Sequence, residues 1–309
     1  MPGTITSPPT IRSATFTRYA WAVLAWNVFV VLWGAYVRAS GSGAGCGSHW
    51  PLCNGEVVPR APRLETIIEL THRMTSAVSL LATGWLAVWS VRRFPRDHRV
   101  RRYARLSVVF LFAEALLGAG LVLFEFVASN ASVGRAFYLS LHLVNTQFLL
   151  ATLALSAWYS RDAPLEVAHR SPRVVAALPA ALVVSVSGAI AALGDTLFPV
   201  ASLAEGMRQD ISSASSFLLR LRVLHPALAI VAAGYFAYAA MSVLRSKPRP
   251  LTVQIALTVI VLALAQLGAG AINITLLGPV WMQLVHLLLA NLLWLSLVLL
   301  AVEAPMARP

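Results

Sequence analysis

Four histidines, His72, His142, His225 and His286, fall near the starts of alternate apolar segments of this chain. An imidazole inside hydrocarbon is costly, so four at matching depth point to one shared task. Neutral imidazoles that face each other across helices hold metals. Haem iron suits this spacing best, as a flat macrocycle between helices with one imidazole on each face. Other readings stay open at this point. A buried histidine often only hydrogen-bonds a neighbouring carbonyl. A zinc or copper centre needs its ligands to converge on one point. A proton relay alternates histidines with carboxylates through the full depth, whereas the inner halves of these segments carry almost no ionisable groups. Of the other histidines, His98 and His169 read as solvated loop residues, and His49 lies between the two cysteines.

The neighbours of the histidines differ. Glu69 stands three residues before His72 and Arg222 three before His225, so each shares a helix face with its histidine. A guanidinium can grip a haem propionate in a bidentate manner. A carboxylate can steady positive charge on a substrate or move protons, or it can merely pair with Arg73 or a loop arginine. The contrast suggests a reaction site beside Glu69 and a cofactor site beside Arg222. Glu114 and Glu125 are placed in the third segment, Glu125 near water at its outer end and Glu114 at a deeper, more costly position. The only cysteines, Cys46 and Cys53, lie in a glycine-rich loop with Trp50-Pro51. A disulfide is allowed there if the loop faces an oxidising compartment. Its short ring would contribute about 2–3 kcal/mol, and a structural clip and a redox role are equally compatible with it. The spacing is not the Cys-x-x-Cys-His of covalent haem.

The elements that must carry these residues are membrane helices. The 309 residues are 58% hydrophobic and 12% charged, against roughly 25% charged in soluble domains. Eight apolar stretches reach the roughly 20 residues that cross a bilayer. They are predicted at about 20–38, 67–91, 105–127, 138–160, 174–194, 221–244, 251–273 and 281–303. Each histidine then lies about five residues, or roughly 7 Å, into its helix. The net charge of +12 is concentrated in alternate connections: Arg92, Arg93, Arg96, Arg99, Arg101, Arg102 and Arg105, then Arg161, Arg170 and Arg173, then Arg245, Lys247 and Arg249. With Arg12 and Arg18 ahead of the first helix, this is the positive-inside pattern, with both termini cytoplasmic and no call for nucleic acid. Residues 1–18 lack an apolar core, so the first span is expected to act as an uncleaved insertion signal.

An internal repeat organises the spans. Leu117-Gly118-Ala119-Gly120 recurs as Leu267-Gly268-Ala269-Gly270, an offset of 150, and Gly34-Ala35 recurs as Gly188-Ala189. His72 and His225 are 153 residues apart, His142 and His286 144. The expectation is an all-α membrane protein of two pseudo-symmetric four-helix bundles in the same order and orientation, residues 1–160 and 174–309, joined by a cytoplasmic linker 161–173. The histidines then sort into His72 with His142 and His225 with His286. The small residues of 118–120 let a helix, or a flat ligand, approach the backbone.

Several stretches together resemble the haem A synthase family: Gly34-Ala35-Tyr36-Val37-Arg38 through Gly41-Ser42-Gly43, Cys46 with Trp50-Pro51-Leu52-Cys53-Asn54-Gly55, Glu69-x-x-His72-Arg73, His142, Gly188-Ala189 to Gly194-Asp195-Thr196-Leu197-Phe198-Pro199, Arg222-x-x-His225-Pro226, and Asn273 to His286. The resemblance implies a multi-pass enzyme of the bacterial cytoplasmic membrane that oxidises a methyl group of haem O to the formyl group of haem A through a hydroxymethyl intermediate. It implies His72 and His142 as axial ligands of the substrate haem and Glu69 as the carboxylate needed for turnover. It implies a haem b cofactor between His225 and His286, and Cys46 and Cys53 as a disulfide pair found in part of the family. Arg38, Arg73 and Arg222 are candidate propionate partners. Haem O synthase (protohaem farnesyltransferase) would supply the substrate and a haem-copper terminal oxidase would use the product; a homo-oligomer is compatible with this. One departure is that the family often has glutamine where this chain has Glu114. The rival readings are a di-haem b-type electron-transfer cytochrome and a haem-binding transporter or chaperone.

Overall fold

A computed structural model describes residues 11–161, 171–212 and 216–304. Within them the chain forms α1 (Ile11–Ala39), α2 (Leu64–Arg93), α3 (Arg99–Leu123), α4 (Val133–Tyr159), α5 (Pro172–Leu197), α6 (Leu203–Ile211), α7 (Phe217–Leu244), α8 (Pro250–Thr275) and α9 (Val280–Glu303). All but α6 are long and apolar enough to cross a membrane, which makes this a multi-pass membrane protein. The described residues contain no strand, only an isolated bridge between Cys53 and Glu56.

Most helices start earlier or end later than hydropathy suggests. Arg12 and Arg18 lie inside α1, and Arg99, Arg101, Arg102 and Arg105 lie inside α3. Arginine is a good helix former, and its long stem keeps the charge at the interface while the backbone continues. Local chemistry sets the ends. Pro172 and Pro250 occupy the first turns of α5 and α8, where no N–H is needed. The Ser132 hydroxyl caps α4 by accepting the Arg135 N–H. His98 is half-buried rather than solvated. Its ring accepts the Val100 N–H at the start of α3 and stacks on Phe94, with centroids 4.7 Å apart. Burial, then the adjacent Arg99 charge, pull its pKa below the usual imidazole value. His169 and Arg170 lie outside the described residues. Glu125 is not in α3: the helix stops at Leu123, and Glu125 follows, exposed, with a φ of 55°.

The outer connection expected to be bare loop between the fifth and sixth spans carries α6. Hydropathy missed it because it is short and amphipathic. Its start is marked by the Ser202 hydroxyl, which accepts the Glu205 N–H, while Glu205 accepts the N–H of Ala201.

In the first half α1 packs on α2 and α4, α2 on α3, and α3 on α4. In the second, α5 packs on α7 and α9, α7 on α8, and α8 on α9. Across the middle, α4 touches α5 and α9, and α1 touches α9. Gln147 and Asn291, each five residues beyond a histidine, meet there through an amide hydrogen bond of 3.2 Å, and the Trp294 indole donates to the Gln147 carbonyl at 2.8 Å. An apolar core that includes Leu150, Leu153, Leu297 and Leu300 fills the end far from the histidines. There the buried Glu303 accepts from the Trp158 indole (2.8 Å) and from Arg249 (2.9 Å).

Candidate functional site

His72, His142, His225 and His286 sit eight, nine, eight and six residues past the first residues of α2, α4, α7 and α9. That is about 9–14 Å along each helix, deeper than the roughly 7 Å expected, because the helices begin earlier. Each ring rests against a glycine of the preceding long helix. A Cβ on Gly34 would stand 2.9 Å from Cε1 of His72, one on Gly188 2.9 Å from that of His225, one on Gly270 3.2 Å from that of His286, and one on Gly118 3.8 Å from that of His142. The pairing corrects the repeat register. Gly118 and Gly270 play the same part, an offset of 152 rather than the 150 of the matching tetrapeptides. Glycines two apart point about 200° from each other, so only one of them can face the ring. In the first half Gly120 instead makes room for Tyr138.

The ring nitrogens are disposed for ligation. The Ser187 hydroxyl stands 2.8 Å from the Val184 carbonyl and 2.9 Å from His225 Nδ1; when it donates to the carbonyl, the ring donates to it. That leaves Nε2 of His225 with a free lone pair. Nδ1 of His72, His142 and His286 is buried without a hydrogen-bond partner, an arrangement that asks for an explanation. Among the described residues, a hydrogen-bonding group stands at Nε2 only at His286, the Gln266 amide at 3.2 Å. The His225 and His286 ring centres are 6.5 Å apart at an interplanar angle of 85°. Two imidazoles sharing one metal, at about 2 Å per metal–nitrogen bond, have centres about 6 Å apart. Among the described residues no three metal-ligating side chains converge, as a zinc or copper centre would require. Paired imidazoles, each with a glycine removed from its path, fit a haem held between two axial ligands.

Glu69 is 4% exposed and caps the cysteine loop onto α2. Its Oε2 accepts the backbone N–H of Cys46 at 2.9 Å, and its Oε1 accepts from Arg73 at 2.5 Å. The same Arg73 donates to the carbonyls of His49 (2.8 Å) and Leu52 (2.7 Å). The Thr66 hydroxyl holds the Gly45 carbonyl at 2.8 Å, and Gly45 lies flush on the α2 backbone, where no Cβ would fit. Cys46 and Cys53, both buried, form a disulfide that closes this loop. The ion pair with Arg73 and the position one turn from His72 therefore coexist.

The other two arginines reach further. Arg38, on α1, donates to the Ala192 carbonyl and the Thr196 hydroxyl on α5, both at 2.9 Å, and to Gln283 on α9 at 3.0 Å. Arg222 binds Asp195 at 3.0 Å and Asp210 of α6 at 2.5 Å. Glu114 accepts from Asn145 at 2.6 Å and from Thr146, and its Oε1 lies 3.6 Å from Nδ1 of His142. Residue types alone did not single out Ser187, Asp210, Gln266 or Gln283. One signal was available: Gln266 precedes Gly270 by four residues, just as Glu114 precedes Gly118.

An eight-span helical protein that presents four imidazoles at one end belongs to the class of multi-pass membrane proteins. The chain is a member of the cytochrome oxidase assembly protein family, whose model matches residues 17–298. It is 50% identical over 290 residues to chains of two Thermus thermophilus strains named protoheme IX farnesyltransferase, a match covering 93% of this chain and 48% of theirs. It is 41% identical over 127 residues to a heme A synthase of Halalkalibacterium halodurans, covering 41% of this chain and 42% of that one. A heme A synthase of Staphylococcus epidermidis is 34% identical over 155 residues, covering 50% and 51%. The chain thus spans about half the length, or less, of these curated relatives within the matched regions.

Proposed function

We propose that this chain is a haem A synthase, an oxidoreductase that converts a methyl group of haem O to the formyl group of haem A by way of a hydroxymethyl stage. The observation that carries the reading is the asymmetry of the two imidazole pairs: a buried carboxylate, Glu69, stands one turn before His72, and a guanidinium, Arg222, stands one turn before His225. Family membership and the heme A synthase relatives support it.

In this reading residues 1–160 and 174–309 are two copies of one haem-binding unit joined by a linker at 161–173. His72 and His142 hold the substrate haem, and His225 and His286 hold a haem b cofactor. The bound cofactor supplies the redox chemistry that side chains lack, since turning a methyl into a formyl group is a four-electron oxidation. The protein's own residues bind, orient and tune. Glycines 34, 118, 188 and 270 give the rings room, Ser187 fixes the tautomer of His225, and Glu69 steadies positive charge at the reacting porphyrin edge. The Cys46–Cys53 loop, held by Arg73, covers Glu69. Arg38 and Arg222 would bind propionates in exchange for their present protein partners.

In this reading both termini lie in the cytoplasm of a bacterium and the histidine end at the outer face of its cytoplasmic membrane, which the Arg-rich connections support. A protohaem farnesyltransferase would supply haem O, and relatives that carry that name over a longer chain support an adjacent place in one pathway. A haem-copper oxidase would receive the product.

The test is pigment extraction from cells expressing this chain together with a haem O synthase. Haem A in the extract is the expected result. Haem b alone would overturn the reading in favour of a di-haem electron-transfer cytochrome.

A further inference from the structure

The two imidazole pairs differ in what stands behind the rings as well as in what stands beside them. When Nε2 of an imidazole binds iron, the remaining proton must sit on Nδ1, and whatever accepts it orients the ring and sets its electron donation. At His225 that acceptor is neutral, the Ser187 hydroxyl oxygen at 2.9 Å. At His142 the group in reach is Oε1 of Glu114, 3.6 Å from an Nδ1 that has no other partner. Glu114 is held in place from the other side: the Asn145 amide donates to Oε2 at 2.6 Å and the Thr146 hydroxyl to Oε1. Both donors lie on α4 within a turn of His142, so the carboxylate, the ring and the helix form one unit. The second half has the neutral Gln266 at the corresponding sequence position, four residues before the glycine beneath its histidine, but its amide meets Nε2 of His286 at 3.2 Å and leaves Nδ1 without a partner.

We infer that Glu114 is a positioning residue for the first pair, taking the Nδ1–H of His142 and making this ligand more electron-rich than either ligand of the second pair. This rests on the reading of His72 and His142 as haem ligands. A negative partner behind the imidazole favours the ferric over the ferrous state, so the first-site haem has a lower reduction potential than the same site with a neutral partner.

The test is potentiometric titration of the full-length, haem-loaded protein, followed by visible spectroscopy. The two sites are assigned from His72→Ala and His225→Ala proteins. Glu114→Gln keeps the shape and removes the charge. It should raise the first-site midpoint by at least about 59 mV, a tenfold change in the oxidised-to-reduced ratio of a one-electron couple, and leave the second site unmoved. Glu114→Asp, which keeps the charge but withdraws it from the ring, should shift the midpoint the same way by less, and it serves if the glutamine variant does not fold. An unchanged first-site midpoint in either folded variant overturns the role of Glu114. Full first-site haem in His142→Ala overturns the ligand reading instead.

Discussion

Gly188 lies flush against the imidazole of His225, leaving no room for a side chain: a Cβ at residue 188 would stand 2.9 Å from Cε1 of the ring. Gly34 stands in the same relation to His72. Real Cβ atoms do not approach this closely, so alanine at either position must push the ring away. Gly188→Ala should abolish the second-pair haem spectrum and spare the first, and Gly34→Ala the reverse. Gly84, also on a spanning helix, has open space beside it, and its alanine variant should keep both. Absorption spectra of the purified proteins decide. Equal haem loading in all three would show that the glycines are not spacers for the rings.

Glu69→Ala should separate binding from chemistry. The carboxylate touches Cys46 and Arg73 and makes no bond to His72. The variant should retain haem but accumulate haem O or its hydroxymethyl derivative. Extracts with normal haem A content would remove Glu69 from the mechanism.

Arg73→Ala should loosen the cysteine loop without unfolding the bundle. It removes a charged donor from the carbonyls of His49 and Leu52 and from Glu69. Bonds to charged donors are worth about 1.5–3 kcal/mol each when buried. This side chain lies near the surface, so a total of about 2 kcal/mol is expected for loop docking. The measurement is amide exchange at Cys46, whose N–H would lose protection in step.

Asp210→Asn should free α6. Arg222 would keep Asp195 at 3.0 Å but lose its closest partner on the short helix. Limited proteolysis should cut within 203–211 faster than in the parent protein, with thermal stability of the bundle little changed. Unaltered cleavage would mean that α6 is held by its apolar face instead.

Glu303→Ala should weaken the far end of the bundle. Glu303 is 8% exposed and joins Trp158 on α4 to Arg249, the residue preceding α8. Removing one member of a buried pair costs about 3–5 kcal/mol. Arg249 is partly solvated, so about 2–3 kcal/mol is expected, read as a fall in the unfolding midpoint in detergent with haem content unchanged at the outset.

Much of the architecture could be read in the residue order. Eight spans, four histidines at one end, their grouping by halves and the distinctive Glu69 and Arg222 all follow from hydropathy, charge and spacing, which are local properties of the chain. Hydropathy failed at helix ends because arginine prolongs a helix where polarity appears to end it, and at α6 because nine amphipathic residues carry no spanning signal. The tetrapeptide repeat misplaced the register by two residues because identity of glycines does not say which one faces a ring.

Contacts between distant residues were decided only in three dimensions. Arg38 bonds a carbonyl 154 residues away and Glu114 a hydroxyl 32 away, and no local pattern encodes such pairs. Arg38, Arg73 and Arg222 each already engage protein acceptors, because burying a guanidinium without partners is too costly, and only helix packing selects which acceptors they meet. The sequence by itself thus determined which chemistry is available and on which helices it sits. The tertiary structure decided which glycine faces which imidazole and which rings have a polar group behind them, and hence how two similar histidine pairs come to differ.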